Sequence, residues 1–323
     1  MRVVSSSALM EAPNEDGFRH EAFFYAGERE FVAGATGFLR EAVGAAEPIL
    51  VVVSARKIDL LRGQLQTDAG KVRFADMEDV GTNPARIIPA WTDFVSEHDG
   101  RPLRGIGEPI WAERSAEELV ECQRHESLLN VAFAGSSDFT LLCPYDTTAL
   151  EGDVVVEARR SHPLIRRHGV RSTSDDYIGT ERLRSPFATP LSEPPDGCLD
   201  LAFQIGSLGG LRSLVLREAM SAGLGEGRAA DAVTAVNEVA SNSLRHGGGQ
   251  GVLLIWQTAD TFVCEVSDAG RFDEPLVGRT RPRVEAHGGR GLWIVNQLCE
   301  LVQVRSFSTG TTIRMHLRRR PPG

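Results

Sequence analysis

The 323-residue sequence predicts two α/β domains in series. Two observations predict this. From residue 18 to about 165, short apolar runs alternate with longer segments of helical period, the signature of a mostly parallel sheet covered on both faces. After residue 198 the order changes to a long helix followed by paired apolar strands separated by glycine-bearing turns.

In the first half, Glu21 to Tyr25, Pro48 to Val53, Val72 to Ala75, Leu103 to Pro109 and Phe139 to Pro144 read as strands. Glu28 to Ala46, Ala55 to Gln66, Pro84 to His98 and Ala116 to Ala132 read as the intervening helices. Val51-Val52-Val53 runs into Ser54-Ala55-Arg56-Lys57 instead of the glycine-rich loop that cradles phosphate, so this half lacks a recognisable P-loop. Residues 166–197, with Ser172-Thr173-Ser174-Asp175-Asp176 and four prolines, read as a connector, and residues 1–17 as a tail.

Composition sets outer limits. A hydrophobic fraction of 41% with 24% charged residues is that of an ordinary globular protein with enough chain for two cores. The net charge of −9 argues against broad binding to nucleic acid or an anionic membrane. Five cysteines, at 122, 143, 198, 264 and 299, have no close metal-type spacing and leave one unpaired in any disulfide scheme. Reduced thiols in a cytoplasmic protein are the simplest account, and no stretch approaches a membrane span.

In the second half, residues 228 to 246 carry Ala232, Val233, Val236, Val239, Ala240 and Leu244 at helical spacing, and Gly247-Gly248-Gly249 ends the pattern. Glu238 and Asn242, four apart, share a face: a carboxylate to accept a hydroxyl proton and a hard oxygen for Mg²⁺. Gly251 to Gln257 and Thr261 to Ser267 read as a hairpin, and Asp268 closes its second strand with Gly270 turning the chain. A carboxylate there can accept from an adenine amino group. Gly288, Gly289 and Gly291 precede an apolar helix, Leu292 to Leu298, where exposed backbone N–H groups favour phosphate. Gly310-Thr311-Thr312 separates Leu301 to Phe307 from Ile313 to Leu317. Each motif alone has a plainer reading as a polar helix face or a turn; their order is what is specific.

That ordered set, covering about residues 196 to 320, resembles the GHKL ATPase superfamily: Asn237 to Gly247 matches its N box, Asp268-Ala269-Gly270 its G1 box, Gly288 to Leu292 its G2 box and Gly310-Thr311-Thr312 its last box. The resemblance implies a GHKL (Bergerat) α/β sandwich over residues 198–323 that binds ATP and Mg²⁺. Within the superfamily the chain looks most like the compact anti-sigma-factor serine/threonine kinases, which implies a sigma factor and a STAS-domain antagonist as partners and a homodimer as the assembly. By this resemblance Glu238 is the catalytic base and Asn242 holds the metal; Asp268 and Thr312 read adenine. His246, Gly270, Gly288, Gly289, Arg290, Gly291 and Leu292 frame the nucleotide. The segment between Asp268 and Gly288, with Arg271, Arg279, Arg281 and Arg283, is the expected lid, its arginines facing either phosphate, a partner protein or solvent. A non-catalytic nucleotide-dependent binding module would keep the same four boxes.

The first half, from His20-Glu21-Ala22-Phe23-Phe24-Tyr25 through Gly107-Glu108-Pro109-Ile110-Trp111 to Cys143-Pro144-Tyr145-Asp146, resembles the MEDS sensory domain over residues 18–165. That resemblance implies a RecA-like domain without a Walker motif and a small-molecule ligand. His20, Trp111, Cys143 and Tyr145 are its pocket candidates, each with core packing as the alternative. His125-Glu126 imitates a histidine-kinase phosphoacceptor, but no dimerising helical hairpin is evident between 166 and 197, and a packing histidine is the better reading.

Overall fold

The computed structural model describes residues 17–98, 100–136, 138–179, 189–272, 274–282 and 289–319. Its first half is a seven-stranded sheet built from β1 (Phe18–Tyr25), β2 (Ile49–Val53), β3 (Val72–Asp76), β4 (Leu103–Gly107), β5 (Phe139–Asp146), β6 (Leu164–Arg167) and β7 (Val170–Thr173). The strand order is β3-β2-β4-β5-β1-β6-β7, parallel except for the β6–β7 hairpin. Helices α1 (Gly27–Gly44) and α2 (Ala55–Leu65) cover one face; α4 (Ile87–Glu97), α5 (Ala116–Ala132) and α6 (Gly152–Ser161) cover the other, with the single turn α3 (Met77–Val80) beside them.

Strand alternation divides the apolar residues between the two faces. On β1, Phe23 and Tyr25 face Phe31, Phe38 and Leu61, whereas Ala22 and Phe24 join the core that holds Trp91, Phe94 and Leu129. All five residues of β2 are buried, as a central strand covered on both sides requires. The α5 helix begins at a capping box, Ser115 Oγ accepting from the Glu118 N–H while the Glu118 carboxylate accepts from the Ser115 N–H.

The sheet runs past residue 165, because β6 crosses into the predicted connector and β7 lies inside it. Their four-residue strands, with charged Arg166, Arg167 and Arg171, give little apolar alternation to read.

The second half is a five-stranded antiparallel sheet, order β11-β12-β10-β9-β8, from β8 (Leu199–Gln204), β9 (Gln250–Gln257), β10 (Thr261–Asp268), β11 (Leu301–Phe307) and β12 (Gly310–Arg318). Helices α7 (Leu208–Ser221), α8 (Glu226–His246) and α9 (Arg290–Leu298) bury Leu211, Val215, Val236, Val239, Leu292 and Val295 against one face. Neither β8 nor α7 was legible beforehand: β8 is an edge strand that buries only Phe203, and α7 presents a thin stripe of Leu211, Val215 and Ala219.

Candidate functional site: a cavity between α8, α9 and the ends of β10 and β12

The long helix α8 runs under the sheet and delivers Val239, Asn242 and His246 to one wall of a cavity of about 340 Å³. Spacings of three and four residues keep these side chains on a single face. Asp268 and Gly270 at the end of β10, Thr311 and Ile313 on β12, and Gly289, Gly291 and Leu292 at the start of α9 form the rest, closed by Arg271, Phe272 and Val277. The volume lies within the range of small-molecule sites, and the wall combines apolar surface with a few polar groups.

Asp268 is fixed from both sides. Its Oδ2 accepts from Ser243 Oγ at 2.5 Å, and its Oδ1 accepts from the Gly270 N–H at 2.7 Å. Each oxygen keeps a second lone pair, so a rotationally locked acceptor stands at the cavity wall, suited to an exocyclic amine. Thr311 Oγ1 donates to the Gly270 carbonyl at 2.9 Å, which steadies the same turn.

The α9 end supplies the opposite electrostatics. Gly289 caps the helix in the left-handed region, φ +81°, where, having no side chain, it makes no side-chain cap bond. Free N–H groups at a helix start attract anions. At Gly291 a Cβ would stand 2.9 Å from Glu238 Oε2 and 3.1 Å from Asn242 Nδ2, so glycine is needed for α9 to approach α8 this closely. The same closeness puts Glu238 and Asn242 beside the expected phosphate wall. Asn242 Oδ1 accepts from Arg245 Nη2 at 3.3 Å, a long bond on the exposed side that leaves a lone pair for a cation.

Most of the sequence-predicted residues thus converge: Asn242, His246, Asp268, Gly270, Gly289, Gly291 and Leu292 line one cavity, and Glu238 abuts it behind Gly291. Arg290, the first residue of α9, is exposed and does not line it. Thr312 needs a correction of placement. Strand parity turns it to the opposite face, where its hydroxyl meets Ser267 Oγ at 3.1 Å, and Thr311 is the threonine on the cavity side. Gly288 and Arg283 lie outside the described residues. The sequence reading missed Ser243, although it follows Asn242 and falls one turn after Val239 on the cavity face.

The lid segment and α9 are both held from the first half. Arg279 Nη2 donates to Glu121 Oε2 of α5 at 3.0 Å, and Arg281 pairs with Asp93 at 2.9 Å. Leu276 packs into the first half's core, Val277 into the second's. At the C-terminus of α9, carbonyls left open by the helix accept from the first half: Asn83 Nδ2 donates to Asn296 O and Cys299 O, and Arg86 to the carbonyls of Asn296, Gln297 and Cys299. A guanidinium at this end also opposes the helix dipole.

Elsewhere in the first half, the position after β2 where a phosphate loop would lie holds Lys57, whose Nζ meets Glu108 at 2.5 Å and Tyr25 at 2.7 Å. His125 is 1% exposed, which removes it from any partner's reach as a phosphoacceptor, and burial holds its imidazole down to about 3. His20, Cys143 and Tyr145 are buried too, and Trp111 carries the Arg114 guanidinium 3.8 Å above its ring. Among the described residues, no helix is long and apolar enough to cross a membrane.

Comparison with known proteins finds one family in each half. Residues 19–163 match the MEDS family, the methanogen/methylotroph DcmR sensory domain, and residues 202–317 match the histidine kinase-like ATPase domain family. Among solved structures, the RsbU and RsbW domains of Rv1364c from Mycobacterium tuberculosis are 20% identical over 40% of this chain and 34% of that one, with a TM-score of 0.30. This chain therefore spans about a third of that protein's length, and a likeness of this degree carries no argument about function. No curated protein matches.

Proposed function

We propose, from a chain that joins a MEDS sensory domain to a histidine kinase-like ATPase domain, that it is an ATP-dependent signalling protein acting as an anti-sigma-type serine/threonine kinase. The observation that carries this is that a doubly anchored Asp268, Asn242 and the glycine-bearing start of α9 line one cavity.

When bound, Mg²⁺-ATP supplies the electrophilic γ-phosphoryl group. Asp268 would accept from the adenine amino group, and the N–H groups at the start of α9 would orient the phosphates. Asn242 Oδ1 would hold the metal, and Glu238 would take the proton of the incoming serine or threonine hydroxyl, whose oxygen would displace ADP from the γ-phosphorus. Phe272 and Val277 of the lid exclude water from the cavity. The target is a STAS-domain antagonist, with a sigma factor as the second partner. The first domain regulates transfer by its hold on the lid through Glu121 and Asp93 and on α9 through Asn83 and Arg86.

Calorimetry with Mg²⁺-ATP, followed by labelled-ATP transfer to a panel of STAS proteins, tests the reading. Acid-stable label is expected on the antagonist, and Glu238→Gln should abolish transfer while retaining nucleotide binding. Binding without transfer to any target would leave a nucleotide-dependent sequestering module; acid-labile label would indicate phosphohistidine and sink the serine/threonine assignment.

A further inference from the structure

We propose that His20, Glu126, Cys143 and His162 form a closed, tetrahedral site for a thiophilic divalent cation of the zinc class in the core of the first domain. The four residues come from β1, α5, β5 and the residue that follows α6, and each is at most 1% exposed. Their ligand atoms all lie within 4.8 Å of one another.

The tautomers are fixed by what stands behind each ring. His162 Nδ1 lies 2.8 Å from the Ala158 carbonyl, which can only accept, so Nδ1 carries the hydrogen. Asn130 donates its amide nitrogen to the Ser161 carbonyl at 2.8 Å, which turns its Oδ1 toward His20 Nδ1 at 3.1 Å and makes that nitrogen a donor as well. In the neutral rings both Nε2 atoms therefore present lone pairs, and both lie close to one carboxylate oxygen. His20 Nε2 is 3.1 Å and His162 Nε2 3.2 Å from Glu126 Oε2, and Cys143 Sγ is 3.3 Å from His20 Nε2. His162 Nε2 has no partner of hydrogen-bonding geometry, and neither has Glu126 Oε1. Three acceptors and a thiol converge in a dry core, an arrangement that a shared cation resolves.

The spacing fits. Ligands at about 2.0–2.1 Å for nitrogen and oxygen and about 2.3 Å for sulfur give tetrahedral edges of about 3.3 Å between N and O and about 3.5 Å between N and S. The charges fit too. A carboxylate and a thiolate cancel a dication between two neutral imidazoles, so the loaded centre carries no net charge into the core. Binding forms the sulfur–metal bond as the Cys143 thiol releases its proton to solvent, with no change of oxidation state. Sulfur with two imidazoles selects zinc-like ions over magnesium or calcium. Asn130 and the Ala158 carbonyl hold the rings from behind, as the outer partners of metal-bound histidines do.

The experiment uses the full chain, nucleotide-free and under reductant. Elemental analysis of the purified protein should find about one zinc-class ion per chain. After stripping with a chelator, titration with Co²⁺ should saturate at one equivalent, with the intense visible bands of a tetrahedral ion and a thiolate-to-cobalt band in the near ultraviolet. Cys143→Ser should lose the thiolate band. A wild-type titration without tetrahedral bands overturns the site with no variant needed, and a thiolate band that survives Cys143→Ser assigns the sulfur to another cysteine and overturns it equally.

Discussion

The first sheet is apolar on both faces and the second on one only. On the second sheet Phe262, Cys264, Val266, Ile313 and Met315 face the helices, while Glu265, Gln303, Arg305, Arg314 and His316 alternate to the other side. That side is not open to solvent: Glu265, Gln303, Arg305 and Arg314 are buried. Arg314 donates to the Glu265 carboxylate at 2.6 Å and to the Ser192 carbonyl at 2.6 Å, and Arg305 to Glu121 Oε1 at 2.7 Å. Charge placed where an isolated sheet would meet water is here the surface by which the second half receives α5 and the connector. Such a surface is specific because each buried charge is costly without its partner.

The largest test of that contrast is Glu121→Gln. Glu121 accepts from Arg279 and Arg305, and Arg124 lies 3.8 Å away, so one buried carboxylate answers three guanidinium groups. Burial already pushes Arg279 down to about 10. Removing the carboxylate's charge should cost about 3–5 kcal/mol in denaturant unfolding and release the lid from the first domain. A cost under about 1 kcal/mol would mean that the polar face contributes little to holding the halves together.

The next effect is pH-dependent. His316, between Gln303 and the Arg314 charge, has its imidazole held down to about 4, by burial first and Arg314 second. The unfolded chain takes up the proton near pH 6.5, the native one only near 4. The contribution is therefore complete above about 6.5 and drains as pH falls toward 4, at most about 3 kcal/mol. Urea midpoints between pH 7 and 4.5 should fall less steeply in His316→Gln; an unchanged slope would place the acid sensitivity elsewhere.

The same contrast explains what the sequence discloses. Strands β1 to β5 and the helices between them were legible because each face of a parallel sheet writes its own apolar period. The cavity wall was legible because backbone turns demand glycines at fixed places, so Asp268-Ala269-Gly270 and Gly289 to Leu292 sit in short motifs. Thr311 and Thr312 could not be told apart by motif; strand register decides between them. Glu121, Arg279 and Arg305 read as ordinary helix, loop and strand charges, since their burial depends on contacts 158 and 184 residues apart in the chain. His20, Glu126, Cys143 and His162 were scattered for the same reason, with no spacing to mark them as a group.

On the apolar side of the second sheet, Asp268→Asn should act on ligand instead of on docking. The amide keeps the Gly270 contact but offers one acceptor where the carboxylate offers two, and Ser243 must then share or turn away. ATP binding should weaken by about 30-fold, near 2 kcal/mol for a charge-assisted bond, with unfolding shifted less than in Glu121→Gln. Unchanged affinity in calorimetry would detach Asp268 from the adenine role proposed for it.

The smallest effect belongs to Arg281→Ala, and it sharpens the contrast because the pair looks equivalent on a distance criterion. Arg281 meets Asp93 at 2.9 Å, the Arg279–Glu121 pair lies at 3.0 Å, and both tie the lid to the first half. The side chains of Arg281 and Asp93 are 64% and 44% exposed, whereas those of Arg279 and Glu121 are 6% and 1%. Water already solvates the exposed pair's ions and salt screens their attraction, so the bond returns little more than the entropy of holding two long side chains. Stability should change by less than about 1 kcal/mol, and the residual change should vanish at high salt. An Arg281→Ala defect approaching that of Glu121→Gln would mean that the lid is held by charge count, and that burial is not what separates the two faces.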